Sequence, residues 1–470
     1  MTTRMAPFSP FSTSPATLST GFAWMISLAV SVAALLSPAL WNGFALVFFD
    51  TGGYVRRVLT MELTPGRSLF YGLFLWASSF GWWSFYGPVL GQALCSAWLI
   101  HLMLRCHDLP SGPRATAFFC VGLSLLTGIS WCVSQLMPDG LVPLAVLALW
   151  LLGFRWHRLG QLERVGLVAI TLLGLMSHMS GMALAIGLAL VTLVARLLVQ
   201  RQNWYLPINW LSPVAVVAAS LVLMPLLHLV LVGKATYTPG GPVYIFGRLV
   251  QAGIAQRWLA EHCPVPGIKL CDLQNRIPNT GDAFLWGKNS AFRNIGEWSG
   301  AADAELGYLV KASIETYPGA VAWSALQATA EQMVLIKSGD QLGEIHNDTR
   351  NVFTNLLPPH IAKAFNAAHQ QQGEITQRLL DAVNQIHVPV AHLSVLCLFL
   401  VIAWGLRSGR HDLAAAALFM FLALLGNAFI CGGLSNPHDR YQSRLVWLAS
   451  LIVGMAVVCW WQLRAKKPHP

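Results

Sequence analysis

Apolar and polar positions fall in long blocks along this chain. Apolar runs of about 18–28 residues alternate with short, mostly basic loops. Blocks of that length match a hydrocarbon layer about 30 Å thick, which a helix of about 20 residues crosses. Backbone inside lipid has to satisfy its own hydrogen bonds, so the runs predict helices. The alternating segments of about ten residues that mark a membrane barrel are missing. The predicted spans lie near 22–48, 86–104, 115–136, 141–154, 165–177, 181–198, 211–232, 389–406, 413–431 and 445–462. Two of them, 141–154 and 165–177, are short and read as partial or tilted helices. The run at 22–49 is too long for a signal-peptide core and reads as the first span. The expected fold is all-α: a polytopic protein of about ten spans with one mainly helical domain inserted between them.

Composition agrees. Hydrophobic residues make up 55% and charged residues 11%, against roughly 25% charged in a soluble domain. The formal charge of +10 would suggest nucleic acid in a soluble protein. Here the basic residues sit at the ends of apolar runs, so they read as topogenic and no nucleic-acid partner is expected. One set of short loops carries Arg4, Arg105, Arg114, Arg155, Arg158, Arg164, Arg196, Arg201, Arg407, Arg410, Arg464, Lys466 and Lys467. The opposite set carries only Arg56, Arg57, Arg67, Arg440 and Arg444. The positive-inside rule then places both termini in the cytoplasm and the segment 233–388 outside.

The chain thus divides into an N-terminal transmembrane module (1–232, with an outer loop at 49–85), an extracytoplasmic domain (233–388) and a C-terminal transmembrane module (389–470). The domain holds thirteen of the twenty acidic residues. Amphipathic stretches at 244–260, 301–336 and 360–387 predict helices in it, and Trp286 and Trp298 are available for a core or for the membrane surface. Cys263 and Cys271 also fall here. An extracytoplasmic setting permits a disulfide, and no nearby Cys/His set completes a four-ligand metal site. No Walker loop, dinucleotide fingerprint or zinc-protease helix occurs.

Four polar clusters fall at the outer edge. The first is Asp50-Thr51-Gly52-Gly53-Tyr54 followed by Arg56 and Arg57; Asp50 suits a helix N-cap at Thr51 or a catalytic carboxylate. The second is Arg67 ahead of the aromatic segment 68–76, which is short for a crossing and fits an interfacial helix. The third is Pro138-Asp139-Gly140, ordinary turn chemistry, with His178 in another turn on the same face. The fourth is His438-Asp439-Arg440-Tyr441-Gln442-Ser443-Arg444, where Arg440 and Arg444 share a helical face and run against the charge bias. Charged groups gathered at one membrane face are a functional-site hypothesis.

At these residues the sequence resembles the GT-C class of membrane glycosyltransferases, which use polyprenyl-phosphate sugars. In that class the first span is followed at once by an outer loop with an acidic residue, here Asp50-Thr51-Gly52-Gly53-Tyr54, and then by an arginine before a Leu- and aromatic-rich interfacial helix, here Gly66-Arg67-Ser68-Leu69-Phe70-Tyr71. The resemblance covers about 22–232 in organisation. It departs from the class in lacking a second acid beside Asp50, a place Glu62 or Asp139 would fill, and in carrying its soluble domain between spans. It implies a transferase in the bacterial inner membrane, acting in cell-envelope polysaccharide assembly. A sugar would pass from a lipid phosphate to a glycan, lipid or protein acceptor. Asp50 and Asp139 would be catalytic. Tyr54, Arg56, Arg67, His178, His438, Arg440, Tyr441 and Arg444 would bind substrate. A divalent metal, Mg or Mn, stays open as a cofactor. Two other readings use the same residues: a transporter or flippase of an anionic or lipid-linked substrate, and a non-catalytic polysaccharide-assembly protein.

Overall fold

The computed structural model describes residues 15–61, 66–202, 207–237 and 240–465. Among these the fold is all-helical, with a single isolated β-bridge between Leu46 and Gln135. The N-terminal half comprises α1 (Pro15–Leu35), α2 (Ser37–Asn42), α3 (Thr51–Thr60), α4 (Leu69–Ser78), α5 (Tyr86–Cys106), α6 (Pro113–Leu126), α7 (Ile129–Val133), α8 (Leu141–Phe154), α9 (Gln161–Ser177), α10 (Met179–Gln202) and α11 (Leu211–Val232). Among the described residues six helices are long and apolar enough to cross a membrane: α5, α10, α11 and the last three of these, α20 (Gln377–Arg407), α21 (His411–Ala428) and α22 (Asp439–Ala465). The length criterion therefore supports fewer crossings than the ten expected. One of the two short expected spans, α8, is buried along its whole length. Fourteen residues rise about 21 Å, and a helix enclosed by protein need not match the lipid thickness.

The first span also differs from its expected 22–48. Its helix breaks after Leu35 because Pro38 has no amide hydrogen to give the Ala34 carbonyl, which accepts from the Ser37 hydroxyl instead at 2.9 Å. The apolar run Phe44–Phe49 then continues as extended chain. It is apolar because it is packed inside protein. The Leu46 amide donates to the Ser134 carbonyl and the Leu136 amide to the Leu46 carbonyl, both at 2.9 Å. The Gln370 side chain donates to the Val47 carbonyl at 2.6 Å and accepts from its amide at 3.0 Å.

Helix ends sort into two groups. At one end ion pairs tie Arg105 to Glu163, Arg158 to Asp108 and Arg155 to Asp412, at 2.6, 2.9 and 2.8 Å. These are loops assigned to the cytoplasm. The other end carries α3, α4, the 134–140 turn, His178 and the long segment from 233 to 376.

That long segment joins two cores. Helices α12 (Gly241–Gln251), α13 (Ile254–His262), α14 (Gly281–Trp286), α15 (Ala291–Asn294) and α16 (Gly300–Thr316) enclose their own core around Phe246, Phe284 and Phe292. A disulfide joins Cys263 to Cys271 at its edge. After α17 (Pro318–Val334) the chain belongs to the main core. Residues 336–375, with α18 (Asp348–Asn351) and α19 (Pro359–Ala367), pack Phe353 and Phe365 against Phe44, with Phe85 beside Phe353. Helix α20 starts at Gln377, about a dozen residues before the expected span, and carries Pro389 within it.

Candidate functional site

The polar cluster lies at the end opposite the Arg158–Asp108 pair. Asp50 stands where a helix cap would be, yet its side chain makes no capping bond to α3. Its carboxylate accepts from Arg67 at 2.5 Å, and its other oxygen lies 3.7 Å from Arg440. The turn that aims Arg67 depends on Gly66, whose φ of +69° favours glycine and whose missing side chain leaves room for the Tyr244 hydroxyl. Ser68 then caps α4: its oxygen accepts from the amides of Phe70 and Tyr71 while its hydroxyl donates to the Met176 carbonyl at 2.7 Å. Gly52 is needed for another reason: a side chain there would strike Thr349, whose hydroxyl receives the Gly52 amide at 3.1 Å.

Arg440 and Arg444 open α22 and point the same way. The Arg440 guanidinium lies 4.6 Å from the Phe48 ring and 4.8 Å from the Tyr441 ring, contacts of the cation–π type. It donates to the Tyr441 hydroxyl at 3.0 Å, but its Nε and Nη1 have no hydrogen-bond partner. Arg444 is 1% exposed and fully engaged at its tips. It donates to Asp139 at 2.8 Å and to Ser180 Oγ and Asn427 Oδ1 at 2.9 Å, and lies 3.3 Å from His178 Nε2. Both arginines, Asp139, Phe48, Trp131 and Asp340 line a narrow cleft.

The expected site residues thus fall into three groups. Asp50, Tyr54, Arg67, Asp139, His178, Arg440, Tyr441 and Arg444 form one connected cluster. His438 sits at its rim, 3.3 Å from Asp282 on the inserted domain, while its carbonyl accepts from Gln332 at 2.8 Å. Arg56 faces away and pairs with Asp348 at 2.7 Å. Glu62 lies outside the described residues. Among the described residues no three His, Cys, Asp or Glu side chains gather in one place, and both cluster carboxylates face arginines.

Electrostatics follow from burial. Burial raises the Tyr54 and Tyr244 hydroxyls above the usual phenol range. Burial opposes the charge on Arg67 most strongly, but Asp50, Tyr54 and Tyr244 together outweigh it and the net shift is upward. Burial and then the Arg444 charge push the His178 imidazole down to about 3. The hydrogen bond with His438 holds Asp282 below the usual carboxylate range.

Two residues of the cluster had no place among the sequence candidates. Asn427, a lone amide in an apolar helix, offered a signal that intramembrane polar residues are rarely idle. Tyr244 offered none, since nothing in its spacing connects it with Arg67.

The fold is that of an all-α polytopic membrane protein. No protein family and no curated protein matches the sequence. Two solved structures of ArnT from Cupriavidus metallidurans are similar in outline. The apo state is 13% identical and the state bound to undecaprenyl phosphate 15% identical. They cover 94% and 93% of this chain, each with 78% of that chain and a TM-score of 0.33. Superposition this loose transfers neither chemistry nor residue roles, which rest on this chain's own geometry.

Proposed function

We propose that the protein transfers a sugar from a lipid-phosphate donor to an acceptor hydroxyl at the non-cytoplasmic face of a membrane. The observation that carries this reading is a carboxylate, Asp50, held between Arg67 and Arg440, where Arg440 in turn lines a cleft together with Arg444. The acceptor oxygen attacks the anomeric carbon, and the bond from that carbon to the phosphate oxygen breaks. The phosphate leaves with the electron pair. Asp50 accepts the acceptor's proton as general base. Arg440, with two nitrogens unmatched, and Arg67 take the phosphate charge, a geometry guanidinium groups fit well. Their move from Asp50 to the phosphate frees the carboxylate just when a base is needed. The proposal assigns phosphate compensation to arginines, and Arg444 is the fixed charge behind them. The face follows from the loop charges, and an amphiphilic donor suits a site beside the short apolar helix α4.

Asp50→Asn keeps the shape and removes the base. Transfer from a polyprenyl-phosphate sugar in membranes should fall by about 10²-fold or more, with a thermal melt confirming the fold. Near wild-type turnover in a folded variant would sink the base assignment.

A further inference from the structure

One feature of the inserted domain lies outside the charged cluster and leads to it. Three aromatic rings form a path. Trp286, at the end of α14, is 48% exposed. Its ring lies 5.6 Å from Trp298, and Trp298 lies 5.8 Å from Tyr244. The path ends where the Tyr244 hydroxyl fills the space at Gly66, next to the Arg67 that holds Asp50. Trp298 is braced from below by Phe292, edge-on at 5.1 Å, and its backbone adopts φ +57°. That conformation is uncommon for a bulky residue.

The surroundings decide what such a path would bind. Lys288, Asn289, Arg293 and Asn294 are exposed beside it, and Arg293 pairs with Glu297 at 3.6 Å. A surface that enters lipid would be apolar around its aromatic residues, with basic residues segregated on the other face. Mixed charges and amides next to one exposed ring and two half-buried ones suit a ligand with apolar ring faces and many hydroxyls. Rings take the C–H faces, and the charged and amide groups take the hydroxyls.

We propose that the Trp286–Trp298–Tyr244 path binds a glycan and delivers its end to Asp50, which makes the acceptor a saccharide. This rests on the transferase reading above for its role, but the binding itself needs no donor and no turnover.

The test uses the full chain in lipid nanodiscs and three labelled hexasaccharides: a neutral β-glucan, an N-acetylated β-glucan and an acidic oligouronide. At least one should bind. Trp286→Ala should weaken that binding tenfold or more, and Trp286→Phe should restore much of it. Trp323→Ala, at a tryptophan 62% exposed on α17 and off the path, should leave it unchanged. Absence of binding by all three, or equal binding by Trp286→Ala, would overturn the proposal. So would a smaller quenching of tryptophan emission by brominated lipid in Trp286→Phe than in wild type, which would make the path a membrane anchor. Asp50→Asn should still bind the glycan. If binding holds while the wild-type chain transfers no sugar from a polyprenyl-phosphate donor, only the transferase reading falls.

Discussion

Two carboxylates resemble each other in the sequence and differ in place. Asp50 is partly open and shared between two arginines, whereas Asp139 is buried against an arginine that is 1% exposed. Breaking a buried pair by removing one partner leaves a charge without compensation and costs about 3–5 kcal/mol. Asp139→Asn should therefore destabilise the detergent-solubilised protein by about that amount in a chemical or thermal melt. The double variant Asp139→Leu/Arg444→Met should recover most of the loss, because no charge is stranded. His178 adds a pH signature. In an unfolded chain an imidazole takes up its proton near 6.5; in the fold it does so at about 3. Between those values the unfolded chain binds the extra proton, so this contribution to stability is complete above about pH 6.5 and is lost as pH falls. Melting temperatures measured from pH 7 to pH 5 should drop more for wild type than for His178→Gln. Equal slopes would mean that the imidazole is solvated. The approach of Asp139 to Arg444 across 305 positions was not legible in the sequence, where each residue had an ordinary turn or topogenic explanation.

The short helix α4 settles the path of the first outer loop. Ten residues rise about 15 Å, half a bilayer, and Ser68 fastens its start to the end of α9 at Met176. The chain thus enters and leaves this region at the same end of the bundle. In a background without the native cysteines, Thr60→Cys and Phe80→Cys should both react with an impermeant maleimide from one side of the membrane, and Ser408→Cys only from the other. Opposite labelling of the first two would make α4 a crossing and invert the assignment of all later loops. The aromatic, leucine-rich pattern of 69–76 and its length were enough to expect an interfacial helix. The break at Pro38 was written in the sequence too, but the apolar run beyond it hid the change. Phe44–Phe49 is as hydrophobic as a lipid-facing helix because a protein core and a bilayer select the same residues.

At the scale of the whole molecule, the segment between the two membrane modules splits its work. Residues 241–316 form a disulfide-joined unit with its own core, and 336–375 help build the core beneath the first outer loop. The two meet the last outer loop around His438, through Asp282 on one side and Gln341 on the other. By itself the sequence determined the class of protein, the helical fold, the alternation of loops and the residue types available for chemistry. Those follow from local quantities: apolar length, loop charge and turn composition. Only the tertiary structure decided that Asp50 bonds Arg67 instead of capping α3, that Arg56 turns to Asp348, that Arg440 keeps unmatched nitrogens beside a cavity, and that Tyr244 joins the cluster. Each of these depends on which distant segments share a place, which no local pattern encodes.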